Sequence, residues 1–430
     1  MNVRIEKLVY GGEGLGHAEG KTIFVPFVLP GEVVAIRAVE QKKKFIRGQM
    51  VHLVTPAAGR IPAACPHFTA CGGCHYQHIP YESQLEAKAV ILRETLARLG
   101  RIAWTGPIHA HASPPFEYRN RAQWKVRPLG GRPSMGYFRA ASSALCAVEV
   151  CPVLSPRLQT TLATLRGLFA DGTLSGGVRE IEAFVDGADQ RILLNVSLAD
   201  SATSAAAAHV LATALPHMES LLLHDAARDT FTLEGPGFLT YRVADAAYRV
   251  GHLSFFQSNR HLIAEMLATI TAGRGGRLAL DLFAGVGLFS LPLSRQFDRV
   301  IAVESNPAAA RNLSENLAGI PAAQAENTDV LPFLHRQKER PDFVLLDPPR
   351  AGVAPPALRR VAALAPAQVG YLSCDPATLA RDLADLTAAG YSISAIHLFD
   401  VFPQTFHIET FVLLEHNPGS STASPAEMPR

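Results

Sequence analysis

Arg277-Leu-Ala-Leu-Asp281-Leu-Phe-Ala-Gly285-Val-Gly287 runs from an apolar stretch into a glycine loop, and its reading decides the fold. The apolar part, Arg277 to Phe283, predicts a buried strand, and the glycines let the backbone approach a ligand where a helix opens. Outward from this junction, apolar runs recur at Arg299 to Glu304, Asp342 to Asp347, Gln368 to Cys374, Tyr391 to Phe399 and Ile408 to Leu414. Stretches at helical spacing separate them. Strand alternating with helix predicts an α/β, Rossmann-like, doubly wound sheet of mostly parallel strands over residues 251–416.

The loop selects a ligand class. Glu304 ends the second strand, where an acid can hold ribose hydroxyls. A dinucleotide site wants a third glycine at position 290, where serine stands, and Asp281 would repel a pyrophosphate. The same acid suits a ligand carrying an ammonium group, such as S-adenosylmethionine. A bare Gly-x-Gly is weak, but Asp281, Glu304 and Asp347-Pro-Pro349 in register favour a methyltransferase over a dehydrogenase. Asn327 follows the next strand position and is placed to read an adenine edge, with plain helix initiation as its alternative.

Cys374 sits in Tyr371-Leu-Ser-Cys-Asp-Pro-Ala-Thr378, at a strand end and before a proline suited to a first helical turn. Alone it reads as a small buried hydrophobe. It is also the only cysteine after Cys151, while Asp347-Pro-Pro-Arg350 ends the preceding strand and His407-Ile-Glu409 opens the last. An acid, a thiol and a second carboxylate are thus expected at one sheet edge. Carbon 5 of uracil is a poor nucleophile, and a thiolate adding at carbon 6 makes it enolate-like. After methylation a base must remove the carbon-5 proton before the thiol leaves. Glu409 is the candidate base, ionised at an ordinary pKa of roughly 4.3, with His407 as rival. Asp347 is placed for the uracil edge or the cofactor, and Arg350 for the enolate oxygen or a phosphate. Exocyclic-amine methylation would want an aromatic where Arg350 stands, and cytosine methylation a second cysteine, so uridine is the expected substrate.

At 430 residues, 48% apolar and 18% charged, the chain can bury two or three cores. Met1 to Tyr10 lacks an apolar stretch long enough for a signal peptide or membrane span, so a cytoplasmic protein is expected, with no membrane partner and no oligomer. Net charge is only +2, so RNA contact must come from local patches. Gln41-Lys-Lys-Lys-Phe-Ile-Arg47 and Tyr118-Arg-Asn-Arg-Ala-Gln-Trp-Lys-Val-Arg127 mix cations with aromatics, although either also reads as a solvated charged strand. Residues 1–58 predict a small all-β barrel with strands Ile5 to Val9, Thr22 to Val28, Glu32 to Val39 and Arg47 to Val54. Gly14 to Thr22 imitates a phosphate loop but has one residue too many, and a strand with Pro26 follows where a helix is required. Residues 59–250 predict a central α+β domain, beginning with a cysteine cluster and a helix, Ser83 to Leu99. Residues 417–430 predict a disordered tail.

Cys65-x5-Cys71-x2-Cys74 argues for metal over disulfide, and Cys146 and Cys151 compete for the fourth place. A 4Fe-4S cluster and a zinc site completed by His67, His75 or His78 both fit the spacing.

Gly11-Gly-Glu-Gly-Leu-Gly16, Phe24-Val-Pro26 and Pro30-Gly-Glu32 resemble the TRAM module, an OB-like RNA-binding barrel. Phe255-Phe-Gln257-Ser-Asn259, the Asp281 to Gly287 loop and Ser373-Cys-Asp-Pro376 extend the likeness over almost the whole chain. The sequence resembles the RNA 5-methyluridine methyltransferases of the RumA/TrmA type. That resemblance implies that Gln257, Phe283, Glu304, Asn327 and Asp347 bind S-adenosylmethionine, with Cys374 as nucleophile and Glu409 as base. It implies that Cys151 joins Cys65, Cys71 and Cys74 around a 4Fe-4S cluster, and that the partner is structured RNA, ribosomal before transfer RNA. Leu288 stands where some members have a polar contact residue, and Asp375 replaces the usual Asn. The added carboxylate should raise the thiol pKa unless it points away or accepts backbone donors. A methylthiotransferase would need Cys-x3-Cys-x2-Cys, which this chain lacks. The competing non-enzymatic reading is an iron–sulfur RNA-binding protein.

Overall fold

The computed structural model describes residues 1–174, 177–199 and 204–417, so the expected tail lies, beyond Asn417, outside the described residues. Strands β1 (Asn2–Leu8), β2 (Glu13–Ala18), β3 (Lys21–Pro26), β4 (Val33–Gln41) and β5 (Phe45–Thr55) close a barrel in the order β1-β2-β3-β5-β4. Val3, Ile5, Ile23, Val25, Val34, Ile36 and Ile46 alternate inward to fill it. The glycine-rich segment was expected to be a turn and instead supplies β2. Its glycines are there for close packing: a Cβ at Gly14 would lie 2.4 Å from the Val28 side chain, and one at Gly16 2.2 Å from the Arg4 carbonyl oxygen.

Helix α1 (Tyr81–Leu99) and strand β6 (His109–His111) follow. Next come β7 (Arg121–Leu129), β8 (Arg132–Phe138), β9 (Leu145–Ala147), α2 (Pro156–Ala170), β10 (Val178–Val185), β11 (Ile192–Leu198), α3 (Ser204–Ala214), β12 (Met218–Asp225) and β13 (Thr230–Glu234). They build a seven-stranded sheet, β13-β12-β11-β10-β7-β8-β9, covered by α2 and α3. A hairpin of β14 (Phe238–Val243) and β15 (Ala246–Gly251) leads on.

The C-terminal part runs α4 (Ile263–Thr271), β16 (Gly276–Leu282), α5 (Ser290–Leu293), β17 (Phe297–Glu304), α6 (Pro307–Leu317), β18 (Ala323–Asn327), α7 (Val330–Arg336), β19 (Phe343–Leu346), α8 (Pro355–Leu364), β20 (Gln368–Ser373), α9 (Pro376–Ala388), β21 (Tyr391–Phe399) and β22 (Glu409–His416). The sheet order is β18-β17-β16-β19-β20-β22-β21-β6. The first five strands are parallel, and β22 runs antiparallel to β20 and β21. One face is packed by α1, α7, α8 and α9, the other by α4, α5, α6 and the β14–β15 hairpin. This is the doubly wound arrangement expected from the alternating pattern. The helix expected to open at the glycine loop is only four residues long, because the chain continues in turns to Ser290.

Helix α1 and strand β6 lie within the stretch expected to form the central unit, yet they join the C-terminal sheet. Ile91, Leu92 and Leu96 share a core with Leu379 and Leu383 of α9, and β6 pairs parallel to β21. Lys88 of α1 reaches Asp400 at 2.5 Å with both side chains fully buried. Among the described residues, no helix is long and apolar enough to cross a membrane.

Candidate active site and cysteine cavity

Strand alternation gathers the acids and the thiol on one face. In β16, Leu278, Leu280 and Leu282 enter one core and Ala279 the other, so Asp281 continues the Ala279 face. The same parity links Val300 and Ala302 to Glu304, Phe343 and Leu345 to Asp347, Leu372 to Cys374, and Phe411 and Leu413 to Glu409. Read in sheet order, the row is Glu304, Asp281, Asp347, Cys374, Glu409. It lies at the carboxyl edge of the parallel strands, where open α/β sheets bind ligands.

The first three members form an acidic cradle. Ser290, the serine found in place of a third glycine, donates through Oγ to Asp281 Oδ2 at 2.5 Å, and Asp281 Oδ1 is buried without a partner. Burial pushes the Asp281 carboxyl up to about 7, with the Glu304 charge adding to the rise. Burial lifts Asp347 to about 8, helped by the charges of Asp281 and Glu304. Glu304 accepts from the Gly285 amide at 2.8 Å and the Asn306 amide at 2.6 Å, which fixes the loop against the strand end. Gly285 and Gly287 hold φ of 58° and 88°, and Phe283 is held at 67°, a strained value for a residue with a Cβ. An orphaned carboxylate oxygen, mutually repelling acids and an open glycine turn fit a cationic ligand such as S-adenosylmethionine.

Asn327 ends β18 directly opposite Glu304, and the cap of α7 is Asp329, so Asn327 does not initiate that helix. Leu288 is buried and packs in the core on that face of the sheet. Gln257 is buried in the segment between β15 and α4, and a residue the sequence did not single out holds that segment in place. The Asn120 side-chain amide donates to the Gln257 carbonyl at 3.1 Å, and its backbone amide to the Ser258 carbonyl at 3.0 Å. Asn259 then donates to the Val401 carbonyl at 3.1 Å, tying the motif to the segment before Glu409.

At the other end of the row, burial pushes the Cys374 thiol up to about 11. Glu409 and Asp347 add to the rise, and Arg350 opposes it. Glu409 is 6% exposed; burial and Asp347 hold its carboxyl well above the ordinary range. This corrects the expectation of an ordinarily ionised glutamate, because the row places it in low dielectric beside another acid. His407 is driven down to about 3 by burial and by Arg350, whose Nη2 lies 3.5 Å from its Nδ1. An imidazole so weakly basic is a poor rival to Glu409. Helix α9 clamps the loop carrying Arg350: Thr378 Oγ1 donates to the Arg350 carbonyl, Arg381 to the Ala351 carbonyl, and Asp382 accepts from the Val353 amide. Asp375 is the N-cap of α9 and accepts from the Ala377 and Thr378 amides, the exception under which it need not burden the thiol.

The basic patch expected over Tyr118 to Arg127 is not a stacking surface. Tyr118 and Trp124 are fully buried, Arg121 pairs with Glu182 at 3.2 Å and Lys125 with Glu180. The barrel patch differs, with Lys42, Lys43 and Lys44 exposed at the β4–β5 turn while Arg47 pairs with Glu13.

Cys65, Cys71, Cys74 and Cys151 line one cavity of about 200 Å³, together with His67. Cys146 is buried instead in the core of the central sheet, and His75 and His78 pack on Phe406 and Phe68. Burial pushes the Cys71 thiol up to about 11 and Cys74 to about 12. Among the described residues, no group of three or more His, Cys, Asp or Glu stands where it could hold a metal ion. The four thiols on the cavity wall are nevertheless soft ligands, better suited to an iron–sulfur cluster or zinc than to a hard cation.

Comparison with known proteins agrees with this geometry. The tRNA (Uracil-5-)-methyltransferase family matches residues 334–417, the TRAM domain residues 1–51, and the TRM5/TYW2 methyltransferase domain residues 250–328. A protein of Pectobacterium atrosepticum named 23S rRNA (uracil(1939)-C(5))-methyltransferase RlmD is 32% identical, over 98% of this chain and 95% of its own. The protein of that name in Nitrosospira multiformis is also 32% identical, over 96% of this chain and 98% of its own. Among solved structures, the Pyrococcus abyssi tRNA (uracil-54, C5)-methyltransferase in complex with S-adenosyl-L-homocysteine shares the fold. Its TM-score is 0.73 at 24% identity, covering 96% of this chain and all of that one.

Proposed function

The chain belongs to the family of RNA uracil-5-methyltransferases that carry an N-terminal TRAM domain, and on that footing we propose how its own residues methylate carbon 5 of a uridine in structured RNA. The observation that carries the proposal is the row Glu304, Asp281, Asp347, Cys374, Glu409 on one face of the sheet. Asp281, Glu304, Asp347, Gln257, Phe283 and Asn327 would hold S-adenosylmethionine. When bound, that cofactor supplies an electrophilic methyl group on a cationic sulfonium.

Cys374 adds as thiolate to carbon 6, and the carbon 5–carbon 6 π electrons move toward the carbonyl oxygen at carbon 4. Arg350 stands beside Cys374 and His407 with a charge that favours both thiolate and enolate. Carbon 5 then takes the methyl group as the methyl–sulfur bond breaks, its electron pair staying on sulfur and S-adenosylhomocysteine leaving, and carbon 5 becomes saturated, bearing both hydrogen and methyl. Glu409 takes the carbon-5 proton, the carbon 5–carbon 6 double bond re-forms, and the thiolate leaves. The raised affinity of Glu409 for a proton makes it a better base than an ordinary carboxylate once it is ionised. Burial is the main cause of the raised proton affinity of Glu409 and Cys374, and a cation seated on Asp281 and Asp347 would relieve the part that the Asp347 charge adds, which favours the ionised forms the chemistry needs.

The ribosomal RNA named for the full-length relatives favours that RNA over transfer RNA as substrate. Cys65, Cys71, Cys74 and Cys151 would hold a 4Fe-4S cluster, supplying a covalent staple between the loop before α1 and the loop before α2.

RNA containing 5-fluorouridine tests the mechanism, because fluorine occupies the position of the proton that Glu409 removes. The full chain with S-adenosylmethionine should form a denaturant-stable adduct whose RNA mass maps to Cys374. An active enzyme that forms no such adduct would defeat the proposal. Mapping the methyl group lost from the RNA of cells lacking the gene identifies the uridine.

A further inference from the structure

Asp375 follows Cys374 and spends one oxygen, Oδ1, on the cap of α9, accepting from the Ala377 and Thr378 amides at 2.9 and 3.0 Å. Its other oxygen, Oδ2, accepts from the Tyr10 hydroxyl at 3.2 Å, across 365 positions of sequence. Tyr10 belongs to the barrel, in the turn joining β1 to β2. Its ring stands edge-on to Phe406 at 5.5 Å, and Phe406 packs at 4.4 Å on His407, just ahead of Glu409. One barrel residue therefore touches the segment that follows the thiol and the segment that precedes the candidate base. The barrel is fastened beside it, Lys7 pairing with Glu94 of α1 at 2.6 Å and the Gly12 turn lying against the His75 ring.

A carboxylate next to a thiol opposes thiolate formation unless its charge is drawn off by donors. Two amides quench Oδ1, and Tyr10 quenches Oδ2. We infer that Tyr10 is a positioning residue of the active site: through Asp375 it fixes the start of α9 and shields the carboxylate beside Cys374, which makes the barrel a working part of the catalytic unit. This rests on Cys374 being the nucleophile. A barrel that served only to tether RNA would leave the thiol indifferent to the Tyr10 hydroxyl. The other groups facing the thiol are Glu409 from β22 and Asp347 and Arg350 from the loop after β19, and Tyr10 itself faces Asp375, Arg350 and Cys374.

Tyr10→Phe keeps the ring on Phe406 and removes only the hydroxyl, while Asp375→Asn keeps a capping oxygen and removes the charge. The experiment is the pH dependence of Cys374 alkylation by iodoacetamide in the full chain, followed on the Cys374 peptide by mass spectrometry. In Tyr10→Phe the midpoint should rise by about 0.5 pH unit, roughly a threefold loss of thiolate below the midpoint. The kcat should fall by a similar factor with the KM for RNA unchanged. In an Asp375→Asn background, Tyr10→Phe should leave the midpoint where it was. An unmoved midpoint in Tyr10→Phe, an equal shift in both backgrounds, or a raised KM alone would each overturn the inference. Retention of methyl transfer by Cys374→Ala would instead defeat the nucleophile assignment, and the alkylation midpoint reports on Tyr10 and Asp375 whichever way that falls.

Discussion

Asp281 and Asp347 close the neighbouring parallel strands β16 and β19 on one face of the sheet, and burial holds their carboxyls at about 7 and about 8, the Asp281 charge adding to the rise at Asp347. Two acids that resist ionisation where the sheet opens are a site built for a positive charge. They tie cofactor affinity and the stability of the free protein to the same protons.

The sign follows from linkage. A carboxyl whose folded pKa lies above its unfolded value of about 3.9 contributes stability at low pH that is lost as pH rises through the folded pKa. Asp281→Asn should therefore stabilise the free protein by on the order of 1–3 kcal/mol at pH 8 and by less at pH 6, as read by thermal or urea unfolding. The same variant should lose S-adenosylmethionine binding. In the parent, calorimetry should find S-adenosylmethionine bound about tenfold tighter at pH 8 than at pH 6, with protons released. S-adenosylhomocysteine, which keeps the ammonium and lacks the sulfonium charge, should show only the part of that dependence that the ammonium carries. An affinity for S-adenosylmethionine that does not change between pH 6 and pH 8 would remove the cradle's assigned role.

Glu409→Gln keeps the shape of the side chain and removes the base. Turnover should fall by roughly 10²–10⁴-fold. Addition and methyl transfer remain possible, so ordinary uridine RNA should accumulate as a methylated covalent adduct on Cys374, visible on a denaturing gel. Loss of turnover without any adduct would assign Glu409 to an earlier step.

Cys151 lines the sulfur cavity and Cys146 does not. Anaerobically purified Cys151→Ser should lose bound iron and sulfide and the visible absorbance that goes with them, whereas Cys146→Ser should keep them. Zinc with no sulfide in the parent protein would replace the cluster with a zinc site on the same residues.

Lys43 and Lys44 sit exposed at the β4–β5 turn, in contrast to Arg121 and Lys125, whose charges are spent on Glu182 and Glu180. Replacing Lys43 and Lys44 together by Ala should weaken RNA binding and reduce the slope of log K against log salt by about 1–2. Filter binding at several salt concentrations measures it. Arg121→Ala should act through loss of structure and leave the slope as it was.

Lys88 and Asp400 are both fully buried, and Lys88 also donates to the Phe402 carbonyl at 3.1 Å. Lys88→Met leaves an unpaired buried carboxylate and should destabilise the protein by about 3–5 kcal/mol. The double variant Lys88→Met with Asp400→Leu should recover much of that loss in denaturant unfolding.

The doubly wound sheet and the barrel were legible because hydrophobic period is a local property. Leu278, Leu280 and Leu282 declare a buried strand wherever they occur, and strand ends then place Asp281, Glu304, Asp347 and Cys374 at one edge. Strand β2 was not legible, because a glycine that admits a neighbouring carbonyl looks in sequence like a glycine that turns. The Tyr118 to Arg127 patch misled for a related reason. Its charges and rings are those of an RNA surface, and only the pairing of β7 with β10 sets Glu180 opposite Lys125 and brings Glu182 within reach of Arg121.

The sequence by itself determined the chemistry on offer: one late cysteine, its flanking acids, a glycine loop with an aspartate, and three sulfurs at metal spacing with two candidates for a fourth. Tertiary structure decided how those groups behave. Burial turned Glu409 from an ordinary carboxylate into one whose affinity for a proton is raised, packing put Cys151 on the cavity wall and Cys146 in the core, and docking of the barrel set Tyr10 on Asp375. The division has a physical cause. Residue type and spacing are written along the chain, whereas desolvation and charge–charge repulsion depend on which distant segments close over a group.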